Sequence, residues 1–238
     1  MHIHLPKPLH GWREFVGEVG IIVIGVLIAL GAEQLLENMH WREKVAQTRE
    51  QLRLELHGDS ASAYQWLTVR ACLASQLDAA EAAVGAARES GAIAPVPAYK
   101  PPLVMFTSDA WLNARSLQVA DHIGPEAMHH YAFLYFFPRE LETNIVQLHQ
   151  LAAELRPLAG GLRRVSAEEA GSYQRLLGRI RELQDRTQLA ETLLLREGES
   201  SDTALSLDER RKAVAWARKE YGGCAAAPDL KRLFVSGH

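Results

Sequence analysis

Cysteine is nearly absent: Cys72 and Cys224 are the only two in 238 residues. That excludes a disulfide-stapled scaffold, and whether the two pair in an oxidising compartment stays open at this stage. An excess of positive charge is missing too. Lys and Arg number 26 against 29 Asp and Glu, for a net charge of −3, so a nucleic-acid partner has no electrostatic support. No window alternates with a period of two for long enough to make a strand. There is also no phosphate-cradling glycine loop, no His-Glu-x-x-His and no Cys-x-x-Cys, so enzymatic chemistry has no positive signature and no cofactor is expected.

What the chain does contain is an apolar run. Val19 to Ala32 is 14 residues without a charge, roughly 21 Å of helix against a hydrocarbon core of roughly 30 Å. Phe15, Val16 and Gly17 before it and Leu35 and Leu36 after it extend the run to 22 residues, interrupted only by Glu18, Glu33 and Gln34. Trp12 and Trp41 bracket it 29 residues apart, about 43 Å on a continuous helix, which suits a pair of interfacial aromatic belts. The expected organisation is a flexible tail over 1–11 with Pro6 and Pro8, a transmembrane helix over 12–41 and a helical domain over 42–238.

Two other readings compete. A cleavable signal peptide would use Lys7 and Arg13 as its positive start, with Ala29 and Gly31 before the cleavage point. A buried helix of a soluble protein is disfavoured by seven β-branched residues and three glycines between Val19 and Ala32, a poor helix-forming composition in water. On a helical wheel Glu18, Gly25, Ala29 and Ala32 share one face with Ile22, Glu33 and Leu36. The Gly25-xxx-Ala29 spacing lets two helix backbones approach closely in lipid, and a carboxyl group prefers a partner helix to hydrocarbon. A homodimer through this face is therefore expected.

The string Arg13-Glu14-Phe15-Val16-Gly17-Glu18-Val19-Gly20-Ile21-Ile22-Val23-Ile24-Gly25-Val26-Leu27-Ile28-Ala29-Leu30 resembles the N-terminal segment of a family of uncharacterised bacterial single-pass membrane proteins. Those open with a Gly-Glu, a β-branched run and a Gly-aliphatic-Leu-Ile-Ala-Leu ending. The resemblance covers about 30 residues. It implies a bacterial inner-membrane protein and carries no activity.

Beyond the anchor the pattern is helical throughout. The first helix is expected to leave the membrane and run to Leu56, closed by Gly58, with Asp59 or Ser60 capping an alanine-rich helix to about Arg88. Gly91 to Pro102 holds four prolines and reads as an irregular connector, the best candidate for a functional loop or a mere linker. Ser108 should cap a short helix over Trp111 to Val119. Gly124-Pro125 should open another, to Phe136, and Pro138 should break or kink it. Leu141, Ile145, Leu148, Ala152, Leu155 and Leu162, then Tyr173, Leu176, Ile180, Leu183, Thr187, Ala190 and Leu194, repeat at threes and fours. They predict an antiparallel, coiled-coil-like hairpin across Gly160-Gly161. Ser166-Ala-Glu-Glu169 and Ser206-Leu-Asp-Glu209 are capping boxes, and the second opens a last helix that ends at Gly222-Gly223. The fold class is all-α: a transmembrane helix followed by an antiparallel helical bundle.

Residues with metal-binding chemistry are sparse. Glu37 to His40 and Glu126 to His129 are Glu-x-x-His units, the spacing by which helical bundles hold di-iron centres. With ten histidines in the chain such pairs arise by chance, and Glu126, His129 and His130, with His122 and Tyr131 nearby, make only a weak metal candidate. His2, His4 and His10 sit in a tail without fixed geometry. Gly58-Asp59-Ser60 resembles the nucleophile block of a serine hydrolase family, but that chemistry needs a preceding strand and a downstream Asp-x-x-His, and neither is present. The expectation is a membrane-anchored binding, scaffold, sensor or accessory protein with the bilayer and an unidentified protein as partners. Its alternative is a tethered metal-dependent helical enzyme. The short tail with Lys7 and Arg13 places the domain in the periplasm, although Arg42, Lys44, Arg49 and Arg53 on the other flank oppose that orientation.

Overall fold

A computed structural model of the chain describes residues 11–199 and 203–235. The predicted tail and its histidines lie outside the described residues, apart from Gly11. The chain divides into two compact units, residues 1–48 and 49–238.

The first unit is the opening part of helix α1 (Trp12–Ser90). It contains a stretch long and apolar enough to cross a membrane, and none of that stretch is buried within the fold. Side chains from Val19 to Leu30 are exposed apart from the partly covered Gly20.

In the second unit α1 continues without interruption to Ser90, which corrects the expectation of a helix end at Gly58. Asp59 and Ser60 cap nothing; both are buried in mid-helix. The reason is tertiary. A helical glycine costs about 1 kcal/mol relative to alanine, whereas Leu52, Leu56, Ala63, Tyr64, Trp66 and Leu67, on both sides of Gly58, are all buried in one core.

Helices α2 (Asp109–Ser116), α3 (Val119–Ile123), α4 (Pro125–Leu134), α5 (Phe136–Leu155), α6 (Ala167–Glu199), α7 (Leu207–Tyr221) and α8 (Leu230–Val235) follow. The expected hairpin is the centre of the bundle: α5 packs on α6, and Arg186 in the second half of α6 reaches back to Glu140 near the start of α5 at 2.6 Å. Leu141, Ile145, Leu148, Ala152 and Leu155 are buried against Leu176, Ile180, Leu183, Thr187, Ala190 and Leu194. Leu162 is not part of this seam; it is exposed beyond the 3-10 turn Arg156–Ala159 that ends the repeat.

Local details depart from the sequence reading in physically simple ways. The helix break before Pro138 falls at Tyr135, and the proline sits in the first turn of α5, where its missing N–H has no partner to lose. The box at Ser206 is complete. At Ser166 only half forms, because the Glu169 side chain turns to Arg163 at 2.7 Å. A ladder of two residues a side, β1 (Ala92–Ile93) against β2 (Arg163–Arg164), is antiparallel and too short to show as alternation. Cys72 and Cys224 are joined, closing a loop of 152 residues and tying the chain after α7 to α1.

Candidate functional site

The proline-rich connector is not a slack linker. Four prolines between Gly91 and Pro102 prevent helix, so its backbone groups find partners on neighbouring elements, some of them backbone, as where the Val96 amide donates to the Leu158 carbonyl at 3.1 Å, and some of them side chains. The Lys100 amide donates to Gln76 Oε1 at 3.1 Å, Ser62 Oγ donates to the Met105 carbonyl at 2.9 Å and the Thr107 amide donates to Asp59 Oδ1 at 3.0 Å. As the connector advances its partners recede along α1, so it runs antiparallel to that helix. From Gln76 to Ser62 is about 21 Å of helix, and five extended residues span about 17 Å, so the strap is pulled nearly straight between those two side chains. His149 on α5 holds the Pro102 carbonyl at 3.3 Å, and buried Tyr99 donates to Gln184 Oε1 on α6 at 3.2 Å.

The strap ends on an acid pair. Glu55 and Asp59 lie one turn apart on α1, and Glu55 Oε2 accepts from the Ala110 amide at 3.0 Å. Ala110 is the second residue of α2, so Glu55 caps that helix from another element. Ser108 occupies the N-cap position without a side-chain capping bond, which corrects the expected local cap. Burial drives the Asp59 carboxyl up to about 8, helped by the nearby charges of Glu55 and Glu142 and opposed by the Thr107 hydrogen bond. Glu55 Oε1 and Asp59 Oδ2 are buried without a partner among the described residues. Tyr135 completes the floor, stacked on Trp111 with ring centres 5.5 Å apart and donating to the Leu52 carbonyl at 3.2 Å. Its phenol is pushed well above its usual range by burial, with the neighbouring Glu55 carboxyl adding to the shift.

Between Leu103 and Thr107 the strap forms a ridge with a depression on each side. Val104 and Phe106 turn inward, while Leu103 and Met105 stand 82% and 76% exposed. On the α1 side a cavity of about 530 Å3 reaches Glu55, Asp59 and Gln65. On the α5 side a groove of about 750 Å3 is walled by Ile145, Val146 and Ala153, with Glu142 and His149 at its edge. Apolar walls with few polar groups make this a surface for an apolar ligand or a partner side chain. Sequence reading singled out the connector as far as Pro102 and missed the ridge that follows it.

The other sequence-level candidates are dispersed. Glu18, Gly25, Ala29 and Ala32 are exposed on α1, and a Cβ added at Gly25 meets nothing within 4 Å. Trp12 is exposed, and Trp41 donates to Glu37 at 3.4 Å with Lys44 5.1 Å from its ring centre. Glu126, His129 and His130 sit exposed on α4. Among the described residues no three His, Cys, Asp or Glu side chains are grouped to hold a metal ion.

One buried carboxyl had no counterpart in the sequence reading. Glu191 on α6 is fully buried, its two oxygens have no hydrogen-bond partner among the described residues, and burial raises it well above the carboxylate range. A different acid, Glu209, meets His57 of α1 at 2.8 Å; its capping bonds to Ser206 and this contact hold it down at about 2. No protein family, curated protein or solved structure matches the chain.

Proposed function

We propose that this chain is a single-pass protein of a bacterial inner membrane whose helical domain works in the periplasm by binding, as a sensor, scaffold or accessory subunit. The reading rests on one observation: the apolar stretch of α1 between the two tryptophans is unburied among the described residues, and a bilayer supplies the missing solvent. The Cys72–Cys224 cross-link supports the periplasmic side, because such bonds persist in oxidising compartments. The positive-inside rule counts the other way, since Arg42, Lys44, Arg49 and Arg53 follow the span. The ridge of Leu103 and Met105 beside its groove supports action by binding, since an exposed apolar patch beside a concavity is how partner and ligand surfaces are built. The small face of Gly25 and Ala29 suits pairing of two anchors.

A full-length protein carrying a C-terminal reporter that is active only outside the cytoplasm tests the placement. Activity in the alkali-resistant membrane fraction is the expected result. A soluble, shortened product starting near residue 32 would mean that the run is a cleaved signal, and a silent reporter in the membrane would reverse the orientation.

A further inference from the structure

On the side of the second unit where the disulfide lies, the segment after α7 folds back over α1 and borders an open cavity of about 500 Å3. Leu67 and Arg70 of α1, Gln188 of α6, and Asp229, Arg232 and Leu233 of the returning segment line it. The wall is fixed in place: Cys224 is bonded to Cys72, and the Ala226 amide donates to the Thr68 carbonyl at 3.0 Å. Asp229 Oδ1 accepts from the Arg232 amide at 3.2 Å, so that carboxylate is engaged in starting α8.

Two arginines and one aspartate thus line the cavity. Neither Arg70 nor Arg232 makes a side-chain hydrogen bond or ion pair among the described residues, in contrast to Arg53, Arg163, Arg181, Arg186, Arg196 and Arg210. Glu191 is the acid that acts on Arg70. Burial raises the Glu191 carboxyl well above its ordinary range, against the pull of Arg70. Leu67 and Leu233 provide apolar wall, and Gln188 adds an amide.

We infer that this cavity binds a small organic monocarboxylate, its carboxylate held between Arg70 and Arg232 and its hydrocarbon part against Leu67 and Leu233. The balance of charge fits one negative group, and planar guanidinium forks suit carboxylate oxygens. A purely inorganic anion would leave the apolar wall unused, and a neutral molecule would leave the charges unmatched. The inference depends on the cavity alone and holds whichever way the anchor is oriented.

The test is calorimetric titration of the full chain in detergent with butyrate, with butanol and inorganic phosphate as comparators at equal ionic strength. Butyrate should bind and both comparators should not. Arg70→Gln and Arg232→Gln should each weaken butyrate about ten-fold or more, the loss expected for a charged hydrogen-bonding partner, with circular dichroism unchanged. Arg232 is exposed on a short terminal helix, so its variant keeps the fold even where the Arg70 variant does not. No binding of butyrate, equal binding of phosphate or butanol, or undiminished binding by the Arg232 variant would each overturn the proposal.

Discussion

The Asp59 carboxylate and the Thr107 amide, 48 residues apart in the chain, meet at 3.0 Å and hold the end of the strap against α1. The contact is made by an acid that burial has turned into a near-neutral titrating group, with its carboxyl raised to about 8.

Stability should therefore fall as the solution becomes more alkaline across the neutral range. The folded-state value near 8 lies above the ordinary value of 3.8, so the folded protein keeps the proton while the unfolded chain releases it. Asp59's contribution is fully present below about pH 4 and is lost as pH rises towards 8. Four pKa units correspond to on the order of 5 kcal/mol as an upper limit. Asp59→Asn keeps an acceptor for Thr107 and removes the titration. Its melting temperature should exceed the parent's at pH 8.5 and fall less between pH 5 and 8.5. Parallel curves for the two proteins would show that another group carries the effect.

Reducing the Cys72–Cys224 bond should loosen the second unit. Its loop of 152 residues gives about 5 kcal/mol in the chain-entropy account, with 2–5 kcal/mol the usual measured cost. Urea melts with and without reductant, compared with Cys224→Ser, measure it. Identical midpoints would contradict the bond, as would two free thiols in the non-reduced protein.

Glu191→Leu should stabilise the protein by about 1–3 kcal/mol, because it removes a buried carboxyl with no hydrogen-bond partner among the described residues from a face otherwise made of Thr187, Ala190 and Leu194. Denaturant midpoints at pH 7 decide it. A loss of stability would mean that the carboxyl meets a bonding group that the described residues do not include.

The heptads of α5 and α6 were legible because their spacing is a local property that packing merely uses. At Gly58 the same kind of signal was present and was overruled by turn chemistry: Leu52, Leu56, Asp59, Ala63 and Trp66 follow spacings of four, three, four and three, and all five are buried. Reading Asp59 as a stripe position rather than a cap would have carried α1 through the glycine. Glu191 hides in the same way, one residue after Ala190 on the buried side of α6. The strap was not legible at all in its detail. Its partners at Ser62, Asp59 and Glu55 are 43, 48 and 55 residues distant, and nothing in the strap's own sequence names them. The trans-acting cap at Glu55 belongs to this class, since Ser108 satisfies every local rule for the role.

The final expectation concerns Gly25 and Ala29, which should form a close contact between two copies of the anchor, with Glu18 on the same face. Both positions are exposed, and a Cβ at Gly25 meets nothing within 4 Å among the described residues, so a larger residue there has room. Gly25→Leu and Ala29→Leu also raise hydrophobicity, so insertion should persist while the backbones are held apart and packing is lost. Glu18→Gln should disturb association less, provided that the carboxyl lies near the headgroups; a large effect would place it between helices. A membrane-based dimerisation assay on residues 12–41 reads association and insertion separately. If both leucine variants associate as strongly as the parent, the small face is a by-product of composition, and any oligomer must be held together by the helical domain over 42–238 instead.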